Sequence, residues 1–155
     1  MKLQHPEVII EIANSHDGNK EKLFQIINQA SSFSYPNLSI KLQIFSSDTI
    51  SLRDYEWYEV YENITFDRAF WNDCIEYSHK KVGKIWVDVF DLFGVDIISN
   101  NFEKISGIKL QASVLENQEV IKALSCMNLK NIQLMVNVSG YSLKKISSLL
   151  DGFIQ

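Results

Sequence analysis

Two patterns of apolar residues alternate along this chain. Short runs of β-forming residues are each followed by a stretch whose apolar positions recur at helical spacing. The first run covers residues 8–14, Val-Ile-Ile-Glu-Ile-Ala-Asn, and brings the carboxylate of Glu11 toward its end. It leads through Ser15-His16-Asp17-Gly18 into a helix predicted over 19–33, with Leu23, Ile26, Ile27 and Ala30 on one side and Asp17 or Asn19 available as its cap. Tyr35-Pro36-Asn37 ends that helix. A strand follows over 38–45, in which Lys41 and Gln43 share one face and Ile40, Leu42 and Ile44 the other. Further strands are predicted over 84–90, 107–113 and 131–138, and helices over 66–80, 95–106, 117–127 and 142–150. In the strand over 107–113, Lys109 and Gln111 again alternate with Ile108 and Leu110.

Five strand–helix units in strict alternation imply a parallel sheet with right-handed crossovers. Such a sheet is either open and doubly wound or part of an eight-stranded barrel. In a barrel strand one face meets the surrounding helices and the other points inward, which directs Lys41 and Gln43 to the interior. A buried lysine is costly unless it is paired with an anion, and the inward lysines favour the barrel. A full (β/α)8 TIM barrel takes about 250 residues. The expected fold is therefore α/β, an incomplete barrel in which residues 1–155 form one domain of five units. The connection over 46–65, with Asp54-Tyr55-Glu56-Trp57-Tyr58-Glu59, is too long for an ordinary loop of such a unit. It reads as a lid, an aromatic surface decoration or an oligomer contact.

Composition narrows the function classes. A net charge of −4 without long charge runs argues against a nucleic-acid partner. No run reaches the roughly 18 apolar residues of a membrane span, and Met1-Lys2-Leu3-Gln4-His5-Pro6 lacks the apolar core of a signal peptide. Cys74 and Cys126 fall in predicted helices at a spacing that suits neither zinc nor a disulfide framework, so both are expected as buried free thiols in a reducing cytoplasm. The first strand–helix turn lacks a dinucleotide fingerprint, and the chain has no phosphate-binding P-loop.

Five short motifs carry a family resemblance. Glu11-Ile12-Ala13-Asn14-Ser15-His16-Asp17-Gly18 resembles the Glu-Ile-Gly-x-Asn-His-x-Gly opening of the N-acetylneuraminate (sialic acid) synthase family. Lys41-Leu42-Gln43-Ile44-Phe45 resembles its Lys-Phe-Gln-Thr-Phe, and Phe90-Asp91 falls where that family has Ser-Thr-Pro-Phe-Asp. Lys109-Leu110-Gln111-Ala112-Ser113 is similar to Lys-Ile-x-Ser-Gly, with Asn117 at the spacing of a later asparagine, and Val138-Ser139-Gly140 is similar to Ser-Thr-Gly. The motifs occur in order and span nearly the whole chain.

The resemblance implies a TIM barrel that condenses phosphoenolpyruvate with an N-acetylated hexosamine, such as N-acetylmannosamine, and releases phosphate. It assigns catalytic roles to Glu11, Lys41 and Lys109. The two lysines meet the carboxylate and phosphate of phosphoenolpyruvate, and Glu11 binds sugar hydroxyls or orients water. Gln43, Asn14, His16, Asp91, Ser113, Asn117 and Ser139 take substrate-binding roles. It also implies a divalent metal, manganese or magnesium, whose histidine ligands come from strands beyond the fifth. Of the three histidines here, His5 is in a terminal tail, His79 is on an outer helix and only His16 is near the expected site, so no metal ligands are assigned in this chain. Departures from the family pattern include Ala13 for a glycine, Ala112 for a serine, and Val87-Asp88-Val89 for Ser-Thr-Pro. If Asp88 faced the phosphate it would repel it. The isolated chain is expected to be inactive. The alternative is a diverged, non-catalytic half-barrel that associates with a complementary chain. An unpaired edge strand invites such a partner or a homo-oligomer.

Overall fold

The computed structural model describes residues 5–150, so the first four residues of the stretch read against a signal peptide lie outside it. Five strands, β1 (Val8–Glu11), β2 (Leu38–Ile44), β3 (Ile85–Val89), β4 (Ile105–Leu110) and β5 (Gln133–Val136), form one sheet in sequence order. All four pairings are parallel. The sheet curls into a half-barrel with helices on its outer face, a partial (β/α) barrel. β1 and β5 are its two edges.

The outer layer is built from the amphipathic stretches. Helix α1 (Lys20–Ser31) starts at Asn19, whose side chain accepts from the Lys22 amide, and it buries Leu23, Ile27 and Ala30. Two short helices follow β2, α2 (Ser47–Ile50) and α3 (Tyr58–Ile64), and then α4 (Arg68–Val82), capped by Asp67. Helix α5 (Leu92–Asn100) follows β3, α6 (Gln118–Ser125) follows β4, and α7 (Leu143–Leu150) follows β5. The outward strand positions Ile40, Leu42, Ile44, Val87, Val89, Ile108 and Leu110 are fully buried beneath these helices in one continuous core. Burial of that apolar surface is the main favourable term in forming the layer.

The predicted elements are all present, with instructive shifts. The helix expected over 95–106 begins at Leu92, because the Asp91 carboxylate caps it by accepting from the Gly94 amide at 2.8 Å. It ends at Asn101, a 3-10 turn spans Phe102–Lys104, and β4 starts at Ile105, two residues before the expected boundary. The connection over 46–65 carries α2 and α3 and is fastened at both ends. Near its start, the Ser46 amide and the Thr49 hydroxyl donate to Asp91. Near its end, the Asn63 carbonyl lies against Gly18, and Phe66 packs on His16 with ring centroids 4.9 Å apart. Cys74 is buried, and burial pushes its thiol up to about 12. Cys126 is free but exposed, contrary to the expectation of a buried thiol, because it forms the C-cap of α6 rather than part of its apolar stripe. No helix among the described residues is long and apolar enough to cross a membrane.

Candidate functional site

The strand register sets the site. Alternation along β2 turns Ser39, Lys41 and Gln43 away from the helices, and pairing carries this face across the sheet: Glu11 lies beside Lys41, Gln43 beside Asp88, and Asp88 beside Lys109. The polar positions of the first four strands thereby converge on one concave face toward the strand C-termini. This is the end on which (β/α) barrels place their chemistry.

The centre of this face is a chain of four charges. Lys41 Nζ lies 2.5 Å from Glu11 Oε2 and 3.6 Å from Asp88 Oδ1, while Lys109 Nζ lies 3.3 Å from Asp88 Oδ2. Two amides complete the shell of Asp88: Gln111 Nε2 donates to Oδ2 at 3.0 Å and Gln43 Nε2 at 3.5 Å. Asn137 Nδ2, just past β5, donates to Gln111 Oε1 at 3.2 Å and extends the network to the fifth strand. Asp88 is fully buried and Lys41 nearly so, with its side chain 7% exposed, while Lys109 and Glu11 are progressively more open. Burial alone would lower the Lys41 pKa. The hydrogen bond to Glu11 and the nearby Asp88 carboxylate outweigh it and raise it, so Lys41 is a permanent cation.

A second polar layer lies under the first. Glu7 accepts from Ser39 Oγ and, at 3.1 Å, from Trp86 Nε1. The indole of Trp86 covers Gly107, where an added Cβ would lie 2.4 Å from its ring. Glycine is required there because the aromatic floor occupies the space of a side chain.

The β1–α1 loop brings Asn14 and His16 to the same end of the sheet. His16 is 1% exposed, and its Nδ1 accepts from the Gly18 amide at 3.1 Å. That bond places the ring proton on Nε2, which is buried without a partner, as is Asn14 Oδ1. Burial holds the imidazole pKa below its ordinary value, against the opposing pull of Asp17, and keeps the ring neutral.

The remaining predicted residues lie outside the charged network. Both Asp91 oxygens are engaged, one on Gly94 and the other on Ser46 and Thr49, so this carboxylate ties α5 to the excursion after β2. Asn117 caps α6 by accepting from the Val120 amide at 3.3 Å. Ser113 and Ser139 are exposed, and the Ser139 amide donates to Asn137 Oδ1. Sequence reasoning did not assign Asp88, Gln111 and Asn137 to the site. The strand alternation that singled out Lys109 carries the same signal for Gln111.

Asp91→Ala is expected to cost about 2 kcal/mol, since it removes a helix cap and strands the Ser46 amide. A fall in the urea midpoint at unchanged slope would show it. An unmoved midpoint would mean that the carboxylate is not the tie described.

Among the described residues no three His, Cys, Asp or Glu side chains are grouped to hold a metal ion. The donor chemistry agrees: Glu11 and Asp88 are engaged by lysines, and His16 offers no free lone pair. The implied divalent metal does not fit the residues present.

The fold and face define part of a (β/α) barrel with a polar interior at the C-terminal ends of its strands. Solved structures share this architecture. A protein described as spore coat polysaccharide biosynthesis protein E from Chromobacterium violaceum superposes with a TM-score of 0.77 at 18% identity, over 95% of this chain and 45% of its own. The N-acetylneuraminic acid (sialic acid) synthetase from Leptospira borgpetersenii, solved with citrate, gives 0.76 at 17% identity, over 94% and 48%. The spore coat polysaccharide biosynthesis protein spsE from Bacillus subtilis gives 0.71 at 16% identity, over 97% and 41%. The chain thus spans less than half the length of these structural neighbours. No protein-family profile and no curated protein matches the sequence.

Proposed function

We propose that this chain forms the first five strand–helix units, one domain over residues 1–155, of a cytoplasmic synthase barrel of the sialic acid and spore-coat type. The complete barrel condenses phosphoenolpyruvate with an N-acetylated hexosamine and releases phosphate. The observation that carries the reading is the concave charge network, in which Lys41 and Lys109 reach one point from β2 and β4. Two converging cations suit a substrate with a carboxylate and a phosphate. In this reading Gln43, now donating to Asp88, hydrogen-bonds substrate, and half-exposed Glu11 meets sugar hydroxyls or water. In the same reading Asn14, His16, Ser113, Asn117 and Ser139, which follow the strand ends, take substrate-binding roles, while Asp91 ties α5 to the excursion after β2. The two free cysteines suit a reducing compartment.

An eight-stranded barrel needs three more strands between the open edges β1 and β5. Those strands come from further chain or from a complementary partner, and with them the ligands for the metal. Residues 1–155 alone are therefore expected to release no phosphate from phosphoenolpyruvate and N-acetylmannosamine with manganese or magnesium present. Mixing with a complementary three-unit half is expected to restore release, followed by phosphate assay. Metal-dependent release by the 155-residue chain alone would overturn the half-site reading. A specific observation supports a second reading, a non-catalytic half-barrel: Asp88 already occupies the space between the lysines. A closed, stably folded complex without turnover would favour it.

A further inference from the structure

We infer that Asp88 is the resident anion of the concave face, a built-in occupant of the place between Lys41 and Lys109 that excludes a phosphate from it. This rests on the second, non-catalytic reading of the site, because the synthase reading needs an anionic substrate at the two lysines, and it does not depend on turnover. Three observations lead there. Asp88 is fully buried, and its two oxygens are divided between the two lysines, Oδ1 at 3.6 Å from Lys41 and Oδ2 at 3.3 Å from Lys109. Both nearby amide side chains present their NH2 groups to the same Oδ2 that Lys109 faces, so donors from β2 and from β4 and its C-terminal end are turned toward one anionic oxygen. Finally, Glu11 takes the remaining side of Lys41, so two carboxylates cancel two ammoniums and the face has no net charge to offer.

A phosphate entering this network would face a buried carboxylate that cannot turn to water, and like charges in that position repel strongly. The same donors without Asp88 would form an anion site: two ammoniums and two amides aimed at one point. Asp88 is thus a specificity-determining residue. With it the face suits a neutral polyhydroxylated ligand, which hydrogen-bonds to amides and paired charges alike. Without it the face suits a phosphate or carboxylate.

The test uses the 155-residue chain and inorganic phosphate, titrated against chloride at constant ionic strength and followed by thermal melting and phosphorus NMR. Wild type is expected to melt at the same temperature in both salts. Asp88→Asn is expected to bind phosphate at least about tenfold more tightly than wild type, and phosphate should raise its melting temperature through binding to the folded state. Asp88→Glu, which keeps the charge, should gain nothing. Asp88→Asn with Lys109→Met, which removes one cation of the pair, should lose the gain. If Asp88→Asn is unfolded in chloride, phosphate should refold it as the replacement anion. The inference fails if wild type binds phosphate as well as Asp88→Asn does, or if Asp88→Asn gains no binding or stays unfolded at every phosphate concentration. Gain of phosphate binding by Asp88→Asn, together with no phosphate release by the reconstituted wild-type barrel, would sustain this inference while sinking the synthase reading.

Discussion

Lys41→Met is expected to destabilise the chain by about 3–5 kcal/mol, the usual cost of leaving one partner of a buried ion pair behind. The corresponding fall in melting temperature is on the order of 10 °C for a chain of this size. The damage centres on Asp88. Its Oδ1 has no hydrogen-bond partner and faces only the Lys41 ammonium at 3.6 Å. Glu11 is already half exposed and can return to water at little cost. Lys109→Met should be milder, because its side chain is more open and Gln111 still donates to the oxygen it leaves. Lys41→Met combined with Asp88→Asn should recover much of the loss, since neither charge is then unpaired; a double-mutant cycle reads that coupling. The stabilisation from Lys41 is fully present below the ordinary lysine value of 10.5 and disappears only as pH rises through its raised folded value. Melting of Lys41→Met within a degree or two of wild type would mean that the network in the barrel interior is not a closed ion-pair chain.

That network was half legible in the sequence. The period of two in residues 38–44 places Lys41 and Gln43 together and opposite Ile40, Leu42 and Ile44, and this register is what the sheet adopts. The same alternation puts Asp88 on the inner face of β3, but its partners lie on β2 and β4, 47 residues before it and 21 after it. Local pattern shows that a carboxylate points inward; only the pairing of distant strands shows that it lands between two lysines. The boundaries failed for a related reason. Residues 95–106 read as one helix, and nothing local forces the break at Asn101. In the fold, Asn101 Nδ2 donates to the Ile97 carbonyl and to Asn72 on the neighbouring helix, and the chain leaves the helix there. Gly94 lies inside α5, where its Cα faces the Ile44 carbonyl and a Cβ would come within 2.8 Å of it. The resemblance placed a glycine where this chain has Ala13, and the backbone there has φ of 47°, a conformation that glycine takes at no steric cost. Asp91 was assigned to substrate on motif position; its hydrogen bonds to Gly94, Ser46 and Thr49 appear only when the excursion folds back.

Gly18→Ala is expected to cost about 2–5 kcal/mol, the second large effect, and it probes how the excursion after β2 is held against the β1–α1 loop. Two penalties add. Gly18 has φ of 73°, in the left-handed region where an L side chain costs about 1–2 kcal/mol. An added Cβ would also lie 2.0 Å from the Asn63 carbonyl oxygen and 3.0 Å from its carbon. Both are backbone atoms, so no rotamer change relieves the clash, and overpacking of this kind costs about 1–3 kcal/mol. Relief requires the end of α3 and the segment after it to move outward, which would draw Phe66 off His16 and open the buried imidazole to water. Faster hydrogen exchange over residues 58–66 should therefore accompany the lower melting temperature. Gly83→Ala is the matched control, since Gly83 has φ of 85° and nothing within 4 Å of an added Cβ. It carries the backbone penalty without the clash, and the difference between the two variants measures the contact itself. Equal losses, with exchange over 58–66 unchanged, would show that the excursion is not seated on the β1–α1 loop. A larger loss at Gly18 would establish that seat, and with it the fixed wall beside Asn14 and His16.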